Sequence, residues 1–186
     1  MMRRMPIEPD DKDWTWVVDE ACPECSFDAS TYPATDVPAG IRANAARWRP
    51  LLQHPSVAQR PRGDRWSALE YACHVRDVLR IYDERLARML TEDDPLFQNW
   101  DQDASAVEDR YAEQDPTTVA AELESAAQRV AASFEAVAGE QWRRPGRRSD
   151  GARFTVDTFA RYFLHDPIHH VWDVEQGYAH LEAPPA

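Results

Sequence analysis

Of the six histidines in this chain, three stand where their spacing could do chemistry: His74, and the pair His165 and His169. The pair lies four residues apart in FTVDTFARYFLHDPIHHVWDVEQ, a segment of helical character. Residues at i and i+4 share one helix face, a turn apart, so two imidazoles placed that way can grip one divalent ion. His74 sits in WSALEYACHVRDVLRIYDERLARML, at the edge of an apolar stripe beside Val78 and Ile81. If the two helices pack side by side, three neutral nitrogens converge. Three protein ligands with an open fourth position make a catalytic metal site rather than a sealed one. His170 turns about 100° away from His169 on an ideal helix and reads as a core or supporting residue. Asp77, three residues after His74, and Asp173, four after His169, are spaced either to orient the imidazoles or to lie solvated on a helix face. Asp101 and Asp103 offer carboxylates near the open position. His54 and His180 receive no role.

These side chains need helices to position them, and the apolar pattern supplies four. The first spans about 36–52, with Asp36 as N-cap, Pro38 just inside, and Pro50 placed to kink or end it. The second spans about 67–91 on a stripe of Leu69, Ala72, Val75, Leu79, Tyr82, Leu86 and Met89. The third spans about 117–138 between Pro116 and Gly139, and the fourth about 155–176 with Gly177 as its cap. Pro167 falls between His165 and His169. It predicts either a kink there or a fresh helix capped by Asp166. No period-two strand pattern stands out. The expected architecture is all-α: a four-helix bundle over 36–177, with a long acidic crossover connection between helices two and three. An extended N-terminal arm over 1–35 precedes it and a frayed tail over 178–186 follows. Trp14 and Trp16 would tether the arm by burial.

The arm also carries Cys22-Pro23-Glu24-Cys25. A structural zinc site wants four ligands, and there is no second C-x-x-C. An inert buried turn, a redox-active pair and metal binding all stay open for it. Three cysteines in all argue against a disulfide framework.

A net charge of −12 disfavours nucleic acid and anionic membranes, which are bound through basic patches. No window approaches the roughly 20 apolar residues of a membrane helix. The N-terminus lacks the apolar core of a secretory signal, so the expected location is the cytoplasm. Lys12 is the only lysine, and the arginine and alanine bias suggests a GC-rich bacterial genome.

WSALEYACHVRDVLRIYDERL followed by YFLHDPIHHVWDV resembles the DinB-like superfamily of metal-binding four-helix bundles. That family includes thiol-dependent S-transferases and mycothiol-dependent maleylpyruvate isomerases. Its pattern is one histidine on the second helix and an H-x-x-x-H pair on the fourth. The matching positions are His74, His165 and His169, and the resemblance covers about 36–177. It implies a divalent ion, zinc or nickel, that activates a low-molecular-weight thiol such as mycothiol, or water. It also implies S-transfer to, or isomerisation of, a small electrophilic molecule, and a homodimer. Pro167 and the arm depart from the family pattern and bear on substrate class more than on metal binding. The alternative is a non-catalytic metal- or small-ligand-binding bundle with a sensing or stress-response role. A fourth protein ligand closing the site, His170 or a cysteine, would favour it.

Overall fold

In a computed structural model, which describes residue 7 and residues 12–184, the four expected helices are present. They are α1 (Val37–Leu52), α2 (Ala68–Thr91), α4 (Pro116–Glu135) and α5 (Val156–Glu182), with a short α3 (Gln102–Glu108) inside the long connection. Each long helix starts on a local signal. Ser67 and Glu70 form a reciprocal capping box at α2, with Glu70 further held by Arg60. The Asp115 carboxylate accepts from the Thr118 N–H ahead of Pro116 at α4. Thr155 caps α5 by accepting from the Thr158 N–H.

Apolar stripes facing one core hold the bundle together. α4 packs against both α1 and α2, and α5 also packs against both. The pairs α1/α2 and α4/α5 therefore oppose each other diagonally, with Phe134 of α4 and Phe163 of α5 stacked 5.9 Å apart at the centre. Trp48, Phe159, Leu86 and Met89 are among the fully enclosed side chains. Burying such a side chain contributes about 1.5–3 kcal/mol, so the stripes dominate the energetics of the fold.

Four details settle an alternative or depart from the sequence expectation. Pro50 and Pro167, where an end or a fresh start was left open, both lie inside continuous α-helices. The carbonyl of Pro167 accepts a 2.9 Å hydrogen bond from the buried Asn44 Nδ2, and Asn44 Oδ1 in turn accepts from Trp48 Nε1. Gly177 is not a cap, because α5 runs through it to Glu182. A Cβ there would sit 3.3 Å from Pro61 Cγ, so glycine allows that loop to lie close. The supposed tail is thus partly helix, and Tyr178 is buried with its hydroxyl donating to the Leu51 carbonyl. The third long helix stops at Glu135, about a turn before Gly139.

A small sheet is the fourth detail. β1 (Leu96–Phe97) pairs in parallel with β2 (Pro145–Arg148), which forms an antiparallel hairpin with β3 (Arg153–Thr155). Strands of two to four residues are too short to show alternation in the sequence. The hairpin turns through Gly151 at φ +98°, a backbone conformation that glycine adopts without steric cost. Gly146 lets β2 lie against Met89 at the end of α2, where a Cβ would come within 2.9 Å of Met89 Cγ.

Candidate metal centre

The long helix α5 presents two i, i+4 pairs offset by one residue: His165 with His169, and Asp166 with His170. Successive residues point about 100° apart, so the two pairs look in different directions. The structure shows where each looks. His74 of α2 groups with Asp166 and His170, whereas His165 and His169 group with Cys22 and Cys25 of the N-terminal arm. Within each group one donor atom from every residue lies within 4.8 Å of the others. The trio expected from sequence, His74 with His165 and His169, is therefore split between two clusters. The open cluster instead includes two residues that sequence reasoning set aside: Asp166, read as a helix cap, and His170, read as a supporting residue.

In the first cluster His74 Nε2 lies 3.8 Å from Asp166 Oδ1, and His170 Nε2 lies 3.8 Å from the same oxygen. These distances are too long for hydrogen bonds. Ligands on one ion with bonds of about 2.0–2.2 Å stand about 3–3.5 Å apart, so small shifts bring the three atoms to ligation spacing. His74 is 1% exposed. Both its ring nitrogens and Asp166 Oδ1 are enclosed without a hydrogen-bond partner among the described residues. An enclosed polar atom left unpaired costs about 1–3 kcal/mol, and His74 Nε2 and Asp166 Oδ1, 3.8 Å apart, face a shared space that suits a cation. His170 Nδ1 lies 2.9 Å from Asp173 Oδ2. With the proton on Nδ1, that contact leaves Nε2 as the donor lone pair aimed at the cluster, the outer-carboxylate arrangement common around metal-bound histidine.

Electrostatics agrees with the geometry. Burial lowers the His74 and His169 pKa values and takes His165 to about 4, so at neutral pH all three are in the uncharged form that binds metal. Burial works to raise the Asp166 carboxyl, but the facing His170 and His74 rings outweigh it and bring it down to about 2. Asp166 is therefore ionised.

Above this cluster opens a cleft of about 420 Å³. Its lining includes His74, Asp166 and His170, with His165 and His169 of the other group beside them, and Trp100, Arg85, Tyr162 and Arg148. Trp100 stacks on His74 with centroids 5.3 Å apart and rings inclined by 10°. Arg85 lies over Tyr82 and Phe97 and donates to the Gln98 carbonyl at 3.0 Å, with no carboxylate in contact among the described residues. Arg148 is engaged by Asp150 at 2.7 Å and donates to Tyr162 Oη at 2.9 Å. Asp101 and Asp103 also line this cleft, as expected, although Asp101 caps α3 by accepting from the Ala104 N–H.

The proposed orienting acids part company. Asp77 does not reach His74; it bonds Arg76, Arg80 and the Tyr111 hydroxyl. Asp173 serves His170 more closely than His169, at 2.9 Å against 3.9 Å. In the second cluster Cys22 Sγ lies 3.6 Å from His169 Nδ1, and His169 Nε2 lies 3.4 Å from Glu24 Oε2. Trp14 covers both histidines, with centroids 5.4 and 5.0 Å from His165 and His169. Burial raises the Cys25 thiol to about 12. The split was detectable in principle, because H-D-P-I-H-H holds both i, i+4 pairs.

Among known proteins, a family model described as the DinB superfamily matches residues 39–174. No curated protein matches. One similar solved structure is YfiT from Bacillus subtilis, whose description is a probable metal-dependent hydrolase with an unusual four-helix bundle topology. It shares 18% identity, covers 86% of this chain and 94% of its own, and superposes with a TM-score of 0.66. At that identity the likeness establishes the bundle fold.

Proposed function

The chain belongs to the DinB superfamily, and from that premise we propose that it is a divalent-metal-dependent enzyme whose ion is held by His74, Asp166 and His170. The observation that carries this reading is the floor of the cleft, where His74 and Asp166 Oδ1 are enclosed, unpaired and aimed at the same space as His170 Nε2. A divalent ion in such a site polarises an electrophile and lowers the pKa of a water or thiol nucleophile. Two neutral imidazoles and one carboxylate leave a dication with net positive charge, which favours an anionic nucleophile beside it. Zinc or nickel suits this donor set.

The chain's own residues prepare the rest of the reaction. Asp173 fixes the tautomer and direction of His170. Trp100 and Trp66 flank His74 and keep water from its ring nitrogens. Arg85 places a cation in the wall of the cleft with no carboxylate in contact among the described residues, so a small substrate with an anionic group would be oriented from that side. The reading covers transfer of a low-molecular-weight thiol, thiol-assisted isomerisation and hydrolysis, which share the activated nucleophile. The similarity to YfiT lends support to hydrolysis, and the wider family to thiol chemistry.

The test is elemental analysis of untagged protein together with assays of thiol transfer and hydrolysis on small anionic electrophiles. Wild type should show turnover that H74A and D166N both lose along with one equivalent of metal. Turnover that survives in metal-free D166N would end the proposal.

A further inference from the structure

The second cluster shares no ligand with the first and calls for its own explanation. We propose that Cys22, Cys25, His165 and His169 form a second, closed metal site for a zinc-class ion, which fastens the N-terminal arm to α5. Two cysteines and two histidines are the donor set of structural zinc, where four protein ligands leave no position for substrate. The four donors stand within 4.8 Å of one another. The sulfur-to-nitrogen distance of 3.6 Å between Cys22 and His169 matches the separation of about 3.6 Å across a tetrahedral site with bonds of about 2.3 and 2.05 Å.

Burial points the same way. Cys22, His165 and His169 are 1%, 4% and 7% exposed, and His165 Nε2 is enclosed without a partner among the described residues. An isolated apolar contact between arm and helix would not place two buried histidines there. The arm is shaped for the purpose by a tight loop. The Cys22 N–H donates to the Phe27 carbonyl and the Ser26 N–H to the Cys22 carbonyl, both at 2.9 Å. Ser26 takes φ +61° to complete the loop, a conformation that costs a serine of order 1 kcal/mol. Glu24, inside the same loop, faces the far nitrogen of His169 and serves as its outer carboxylate. The ion would displace one proton from each of the two thiols. Two thiolates then cancel a dication, so the buried site carries no net charge, whereas the cleft cluster keeps a positive one.

Zinc X-ray absorption on the full chain with the H74A substitution tests this directly, because that variant lacks the cleft site and keeps all four proposed ligands. The expected result is one equivalent of zinc with about two sulfur neighbours. A nitrogen- and oxygen-only shell, or no bound zinc with the thiols kept reduced, would overturn the proposal. A cobalt(II) titration of metal-stripped wild type, C22S and C25S gives a second readout. Thiolate-to-cobalt charge-transfer absorption should appear in wild type and H74A and vanish in both cysteine variants. The same absorption in a C22S/C25S double variant would refute the assignment. A sulfur-bound ion without turnover leaves this site standing and removes the cleft reading; turnover without a sulfur-bound ion does the reverse.

Discussion

Two donor clusters on one helix, one residue out of phase, differ in the properties that separate holding from reacting. The Cys22, Cys25, His165 and His169 cluster faces the arm, uses soft ligands and lies beneath Trp14. The His74, Asp166 and His170 cluster faces α2, uses a harder set and lines with all three residues a cleft of about 420 Å³ that the other cluster reaches only through its two histidines. A four-ligand, charge-balanced site has nothing left to offer a substrate. A three-ligand site with residual positive charge and an open side does. A rotation of about 100° along α5 thus gives a single sequence segment two chemistries.

The largest effect that sharpens this contrast is expected from the ligands themselves. H74A and D166N should each remove one equivalent of metal by elemental analysis and leave the sulfur-bound ion in place. C22S should do the converse. It should also lower the melting temperature, because a ligand held at a thousandfold excess over its Kd stabilises by about 4 kcal/mol. At about 2–4 °C per kcal/mol for a domain of this size, calorimetry should read a fall on the order of 10 °C. H74A should shift it much less.

A pH effect follows for metal-free protein. His165 is depressed to about 4 by burial, so the unfolded chain binds its proton first. Stability is then complete above about pH 6.5 and falls as pH drops toward 4, by up to about 3 kcal/mol from this residue. Denaturant melts of the metal-free form across that window measure it. If zinc occupies the site, holo protein should resist acid further, because protons must compete with the ion.

The offset of the two pairs also shows what the sequence could and could not reveal. The starts of the four helices were legible to within about a residue because their stripes and caps are local signals. Ser67, Pro116 and Thr155 stand at or beside the observed starts. Whether α5 breaks at Pro167 stayed open, since the carbonyl of Pro167 is held by Asn44 on another helix. The strands were not legible, because they are only two to four residues long and β1 pairs with a segment about fifty residues away. The chemistry was legible as a set of residue types, but the partition was not. Which i, i+4 pair faces α2 depends on the rotation of α5 about its axis. That rotation is set by packing of Phe159, Phe163 and Val171, which lies outside the motif. The role of Cys22 and Cys25 stayed open because the histidines beside them lie about 140 residues away.

Asp173 offers a finer test, since it sits nearer His170 than His169. D173N should weaken metal binding in the cleft by about 10–100-fold and the sulfur site less, as competition with a chelator would show. Equal losses would mean that the two sites share their outer carboxylate evenly. The smallest effect concerns the backbone between the pairs. N44A leaves the Pro167 carbonyl and the Trp48 indole N–H without their buried partner, at a cost of about 1–3 kcal/mol. Denaturant unfolding should show that loss while metal stoichiometry stays at the wild-type value.

Anomalous diffraction from a crystal of the metal-loaded full chain is the most direct measurement of the central claim. The account predicts one anomalous peak bounded by His74, Asp166 and His170, at the floor of the cleft, and a separate peak among Cys22, Cys25, His165 and His169. A single peak shared by His74, His165 and His169 would contradict it, as would an empty cleft floor in loaded crystals.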